Sequence, residues 1–154
     1  MKNEGKEKKT ATAVGYVAGM YVDHKGEIVD HEEQKERIKK YASENGITLQ
    51  AIYEDIEQSD SVMERPGLNN LIQECVDTDI VLVDRVWSIG RTRTALKPLM
   101  KVLDSKGMRL ETATICFDIT SQYARFWYRK PGRQTYVSTK KAIEVEKSAT
   151  IAGA

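Results

Sequence analysis

The sequence predicts an α/β fold with a mainly parallel sheet flanked by helices, on three observations. Short apolar runs of strand length alternate with amphipathic helical stretches as far as residue 116. One run, Asp79-Ile-Val-Leu-Val83, is continuously apolar, as suits a strand covered on both faces. The strand-helix alternation implies right-handed βαβ crossovers, which place successive strands parallel. The 154 residues, 40% hydrophobic and 31% charged, match one soluble domain with one core. No apolar run approaches the ~18 residues of a membrane span.

Taken in order, Thr12-Ala-Val-Gly-Tyr-Val is small, apolar and β-prone, a first strand ending near Gly19. A polar loop, Asp23 to Glu27, is punctuated by Gly26. From Asp30 to Asn45 the chain is charged, with Ile38, Tyr41 and Ala42 on one face and Gly46 as a helix stop. Ile47, Leu49, Ala51 and Tyr53 alternate with polar residues, marking a second strand. Glu54 to Glu64 reads as a loop, and Pro66 then suits the first turn of a helix. In that helix Leu68, Leu71, Ile72, Cys75 and Val76 share a buried stripe. After the strand at 79–83, Thr92 or Thr94 can cap a third helix whose Leu96, Leu99, Met100 and Leu103 face the core, with Gly107 past its end. Met108 to Cys116 is a fourth strand. Beyond Thr120 the pattern fails in an aromatic and basic stretch broken by Pro131-Gly132, and a short helix is expected over Thr139 to Ala149.

The net charge of +1 hides an asymmetry: residues 1–9 hold four Lys and two Glu, residues 121–154 hold seven Lys/Arg and two Glu, and the middle is acidic. Basic ends reach a polyanion such as DNA through sequence-independent phosphate contacts; the same charges serve equally as solvated tails. Met1 to Lys9 lacks the apolar stretch of a secretory signal, and Cys75 and Cys116 lie in apolar segments. Two buried free thiols in a reducing cytoplasm are therefore expected.

Several landmarks occur together: Gly15-Tyr16, Gln34, Tyr41, Asn45-Gly46, Tyr53-Glu-Asp55, Ser59, Arg65-Pro-Gly-Leu68, Val81-Leu-Val83 and Ile89-Gly-Arg91. In this order and spacing, over residues 12–112, the chain resembles the catalytic domain of serine recombinases of the resolvase/invertase family. The resemblance implies a resolvase-like α/β catalytic domain at 12–120, between a basic tail at 1–11 and a basic, aromatic extension at 121–154. It also implies a role in site-specific DNA recombination.

In that family the first strand ends in a Tyr-x-Arg-Val-Ser pattern whose serine attacks a DNA phosphodiester. Here Tyr16 is kept, Ala18 stands at the arginine and Met20 at the nucleophile. A thioether has no proton to lose and cannot attack phosphate in that way. Against the family's Asp-Arg-Leu-x-Arg pattern, Trp87 stands at the aspartate, Ser88 at the first arginine, and only Arg91 is retained. Arg65 matches a further phosphate-binding arginine. Losing one preorganised donor costs roughly 10²- to 10³-fold, so the resemblance implies an inactive member. Tyr16 and Tyr21 flank Met20 but lack activating surroundings; Ser59 matches a supporting serine; Tyr136-Val-Ser138 imitates the nucleophile motif without its arginine or a following strand-helix unit.

Among the remaining features, Arg125, Arg129, Lys130 and Arg133, interleaved with aromatic residues, can stack on bases and hold phosphates alongside Arg65 and Arg91, or pack Phe126 and Trp127 inward. His24 and His31 lack a third ligand, so no metal is expected. Neither a G-x-G-x-x-G loop nor a G-x-x-x-x-G-K-[ST] loop occurs, and no cofactor is expected. Asp77, Asp79 and Asp84 read as solvated strand ends. The family's long dimerisation helix would here be a Pro-Gly-interrupted segment, which leaves oligomerisation and sequence-specific reading open. The leading expectation is a non-cleaving recombinase-like protein that binds DNA weakly or pairs with an active recombinase in a homo- or hetero-oligomer. The alternatives are a DNA-cleaving enzyme with a non-standard nucleophile and an α/β protein-binding module.

Overall fold

The computed structural model describes residues 10–59, 61–115 and 118–128. In chain order the elements are β1 (Thr12–Ala18), β2 (Tyr21–Val22), β3 (Ile28–Val29), α1 (His31–Glu44), β4 (Thr48–Asp55), α2 (Pro66–Glu74), β5 (Ile80–Val83), α3 (Arg93–Ser105), β6 (Arg109–Thr112) and α4 (Ile119–Tyr128). β4, β1, β5 and β6 form one parallel sheet in that order, and β2 pairs with β3 in a small antiparallel hairpin. The α/β class and the parallel sheet are as the sequence predicts.

Because side chains alternate along a strand, the sheet buries two faces. Ala13, Val17, Ile80 and Leu82 meet Ile38 and Ala42 of α1 on one side. Val14, Tyr16, Ala18, Val81 and Val83 share the other with Leu68 and Leu71 of α2 and with Leu96, Leu99, Met100 and Leu103 of α3. β5 is buried at every residue, which explains its unbroken apolar run.

Helix starts follow their side-chain caps. Asp30 accepts from the Glu33 amide at 2.9 Å at the head of α1, and Thr92 accepts from the Ala95 amide at 3.1 Å at the head of α3. α2 has no such cap of its own. Its first amides, Gly67 N and Leu68 N, are bonded instead by the Asp55 carboxylate from the end of β4, at 2.7 and 2.9 Å.

Several expectations are corrected. Between Ala13↔Leu49 and Val14↔Ala51 the register of β1 with β4 slips by one residue, so Gln50 forms a bulge. The bulge reverses the alternation: Ala51 is exposed, and Ile52 rather than Ala51 joins Leu49 on the α1 face. α2 stops at Glu74, leaving Val76 69% exposed and Cys75 half-buried rather than buried. β6 ends at Thr112, short of the predicted strand end. The chain beyond Thr120 is not patternless: α4 runs to Tyr128, its first turn held by Asp118 accepting from Ser121 N at 2.8 Å. Ala124 of α4 is buried against the α3 face. Asp84 is 0% exposed, not a solvated strand end. Cys116, the N-terminal tail and the helix expected over 139–149 lie outside the described residues.

Candidate functional site

Strand order places a crevice at the carboxyl ends of β1 and β5. β1 connects outward to β4 on one side, and the chain then crosses to β5 on the other, so the winding reverses between them. Open α/β sheets bind ligands at such a reversal. The segments leaving these two strands, Ala18 to Tyr21 and Asp84 to Arg91, contain Ala18, Met20, Ser88 and Arg91 among the candidate residues.

The core of the site is a closed hydrogen-bond network. The Tyr16 hydroxyl, 0% exposed, donates to Asp55 Oδ2 at 2.8 Å and accepts from Arg65 Nη1 at 3.2 Å. Arg65 is 2% exposed and makes five bonds. Besides the one to Tyr16, Nε and Nη2 donate to Ser59 O at 2.9 and 2.7 Å, Nη1 to Ser88 O at 2.8 Å, and Nη2 to Ile89 O at 2.6 Å. A guanidinium has five N–H donors, and here every one has a partner. Arg65 thus ties the loop after β4 to the loop after β5.

A second buried network lies beside it. Gln34 of α1, 0% exposed, accepts from Ser88 Oγ at 3.0 Å and Ala18 N at 3.4 Å, and donates to Gly19 O at 3.0 Å. Ser88 and Ala18 are likewise 0% exposed. Gly19 then turns the chain with a φ of +63°, in the left-handed region, and Met20 emerges 64% exposed. Met20 lines a shallow pocket of about 400 Å³ with Gly19, Asp30, His31, Glu32 and Ile56.

The structure brings Tyr16, Ala18, Arg65 and Ser88 together through these shared partners, while Met20 points to the surface. Arg91 is exposed, and its guanidinium carbon lies 4.1 Å from the Trp87 ring centroid. Of the two tyrosines beside Met20, neither is free to attack. Burial pushes the Tyr16 hydroxyl well above the phenol range, and burial with the adjacent Asp84 carboxylate does the same to Tyr21. Tyr21 donates to Asp84, which also accepts from Thr114 Oγ1 at 2.6 Å and faces Arg37 Nη1 at 3.6 Å. His31 Nδ1 lies 3.7 Å from Glu54 Oε1, and His24 is exposed. Arg125 lies on α4; Arg129, Lys130, Arg133 and the Tyr136 to Ser138 stretch fall outside the described residues.

Three groups escaped sequence reasoning. Asp55 was legible only as a landmark, because the helix amides that it bonds lie 12 and 13 residues further along the chain. Gln34 has no local sign of its role, because its partners are 15 and 54 residues away. Arg85 is 5% exposed with its guanidinium carbon 5.6 Å from the Tyr21 ring centroid and 4.9 Å from that of Trp87. Trp87 itself donates from Nε1 to Asp118 Oδ2 at 2.8 Å, holding the start of α4 to the site.

The resolvase N-terminal domain family model matches residues 23–134, more than half of the chain. Solved structures with the same fold include the N-terminal catalytic domain of TP901-1 integrase, with a TM-score of 0.57 and 20% identity over 90% of this chain and 98% of that one. The C-terminal catalytic domain of ISC1926 TnpA, an IS607-like serine recombinase, has a TM-score of 0.54 and 20% identity over 93% of this chain and 99% of that one. A resolvase family site-specific recombinase from Streptococcus pneumoniae has a TM-score of 0.56 and 16% identity over 93% and 91%. No curated protein matches the chain significantly.

Proposed function

We propose, since the chain belongs to the resolvase family of serine recombinases, that this member of a site-specific recombination family does not cut DNA and acts by binding DNA or by pairing with an active recombinase. The observation that carries the reading is the state of Arg65. A catalytic arginine needs donors aimed at the charge that develops on the phosphate, and all five donors of Arg65 are spent inside the protein.

The rest of the site supports the same reading. Met20 has no ionisable proton to supply an attacking oxygen. Ser88 is sealed at 0% exposure and donates to Gln34, so it is no substitute nucleophile. Arg91 is the family arginine that remains on the surface, and with the basic residues at 125, 129, 130 and 133 it offers phosphate contacts of the kind that hold DNA without reading its sequence.

The test is binding of the purified protein to a labelled random duplex at low and physiological salt, with the same samples run on a denaturing gel. Salt-sensitive binding without a protein-DNA adduct is the expected result. An adduct overturns the non-cleaving reading, and absence of binding at both salts overturns the DNA-binding arm and leaves recombinase pairing, to be checked by co-purification with an active family member.

A further inference from the structure

We propose that the outer face of the β2–β3 hairpin, together with Ile56, is a docking surface for a segment of this same chain, the basic residues 129–154 that follow α4. The inference goes beyond the DNA-associated reading above, and the docking itself does not depend on it.

Antiparallel pairing sorts the side chains of the hairpin. Tyr21 and Val29 face each other and are both buried, whereas the next pair, Val22 and Ile28, is exposed at 55% and 67%. Continued one step the other way, the same register sets Met20 opposite Asp30, and both line the shallow pocket that Ile56, just past β4, also lines. Met20 is 64% and Ile56 87% exposed. Among the described residues these four are most of the large apolar side chains that stand more than half exposed, the others being Val76 and Ile115. Single apolar side chains on a surface need no explanation, but a contiguous patch marks an interaction site.

The rim of this patch is acidic. Asp30 and Glu32 line the pocket, and the exposed Glu27 and Glu57 adjoin Ile28 and Ile56. Among the described residues neither Glu27 nor Glu57 has an ion-pair partner, while Lys35 of α1 is engaged by Glu32 and Glu54. Residues 129–154 carry the complement, six Lys/Arg against two Glu, interleaved with Tyr136, Val137, Ile143, Val145 and Ile151. Opposite charge steers and selects such a partner, and apolar burial holds it. The segment also starts from a helix anchored beside the patch. Gln58, two residues past Ile56 and adjacent to Gly19, donates to Trp87 O, and Trp87 Nε1 donates to Asp118 at the head of α4. α4 spans about 15 Å over its 10 residues, and the 26 residues from 129 to 154 reach roughly 85 Å when extended. A tether of this kind holds the local concentration on the order of millimolar, so a contact too weak to retain a free peptide is still occupied. Arg129, Lys130 and Arg133 are also the residues offered to DNA above, and docking withholds them from phosphate.

The test compares methyl NMR spectra of the full-length protein with those of one full-length variant combining Arg129→Gln, Lys130→Gln, Arg133→Gln, Lys140→Gln and Lys141→Gln. The Met20, Ile28 and Ile56 methyl signals are expected to move, while those of Val76, which precedes β5 at the opposite end of the sheet, stay in place. Identical signals at the three patch residues overturn the proposal. In the wild type, positions unchanged on tenfold dilution support a contact within one chain; positions that drift toward those of the variant assign the contact to a second copy and overturn it. A second readout approaches from the patch. In the full-length double variant Ile28→Ser, Ile56→Ser, trypsin is expected to cleave after Arg133 about threefold faster than in the wild type, since cleavage follows the undocked population; an equal rate overturns the proposal. Both experiments are run without DNA, so their failure leaves the DNA reading intact, and a duplex that fails to bind leaves the docking intact.

Discussion

Arg65 and Tyr16 meet inside the protein, Nη1 to hydroxyl at 3.2 Å, and with Asp55 they join three segments that are distant in sequence. Replacing Arg65 by glutamine is predicted to orphan the carbonyls of Ser59, Ser88 and Ile89. Ser88 and Ile89 are buried while Ser59 is exposed, and an orphaned buried polar group costs roughly 1–3 kcal/mol, so a loss of at least about 2 kcal/mol is expected in urea denaturation. Arg65→Lys should fail nearly as badly, because one ammonium cannot reproduce a planar fork of five donors. Near-wild-type stability in either variant would show that the network is not structural.

The start of α2 presses on the end of β4. A Cβ on Gly67 would stand 2.1 Å from Glu54 O and 2.9 Å from Asp55 Cγ. Gly67→Ala is therefore predicted to destabilise by about 3 kcal/mol, the upper part of the range for forcing atoms into filled space. It should also disturb the Asp55 bonds to Gly67 N and Leu68 N, read as faster amide exchange at the first turn of α2.

Pro98 sits inside α3 on its exposed side. It has no N–H for the carbonyl one turn back, and a proline in a helix interior costs up to roughly 3 kcal/mol. Pro98→Ala should thus raise stability by about 1–3 kcal/mol, seen as a higher midpoint in urea with no change in the slope. A lower midpoint would mean that α3 is built around the proline.

Tyr16 and Tyr21 set an alkaline limit. Burial holds both hydroxyls above the ordinary phenol value of 10.0 in the folded state. For a group whose folded pKa is raised, the contribution is fully present below the unfolded value and is lost as pH climbs from there through the folded value. Stability should therefore fall from about pH 10 upward, where unfolded tyrosine releases its proton. Of the seven tyrosines, two should ionise only as the protein unfolds, which tyrosinate absorbance followed alongside circular dichroism will show. Tyr16→Phe and Tyr21→Phe should each flatten the fall.

The sequence by itself determined the α/β class, the three helices before residue 106, a threonine cap for the third of them, the apolar β5 and the family. These are legible because periodicity, capping and motif identity are local properties of neighbouring residues. Tertiary structure alone decided the rest. The bulge at Gln50 turned Ala51 outward through its pairing with β1, and α4 was held by Trp87 and Arg91 from across the molecule. Arg65, expected to face DNA, was claimed instead by carbonyls 6, 23 and 24 residues away. Whether a charged side chain serves a ligand or the fold depends on which groups the chain brings within about 3 Å of it, and only the packing of distant segments settles that.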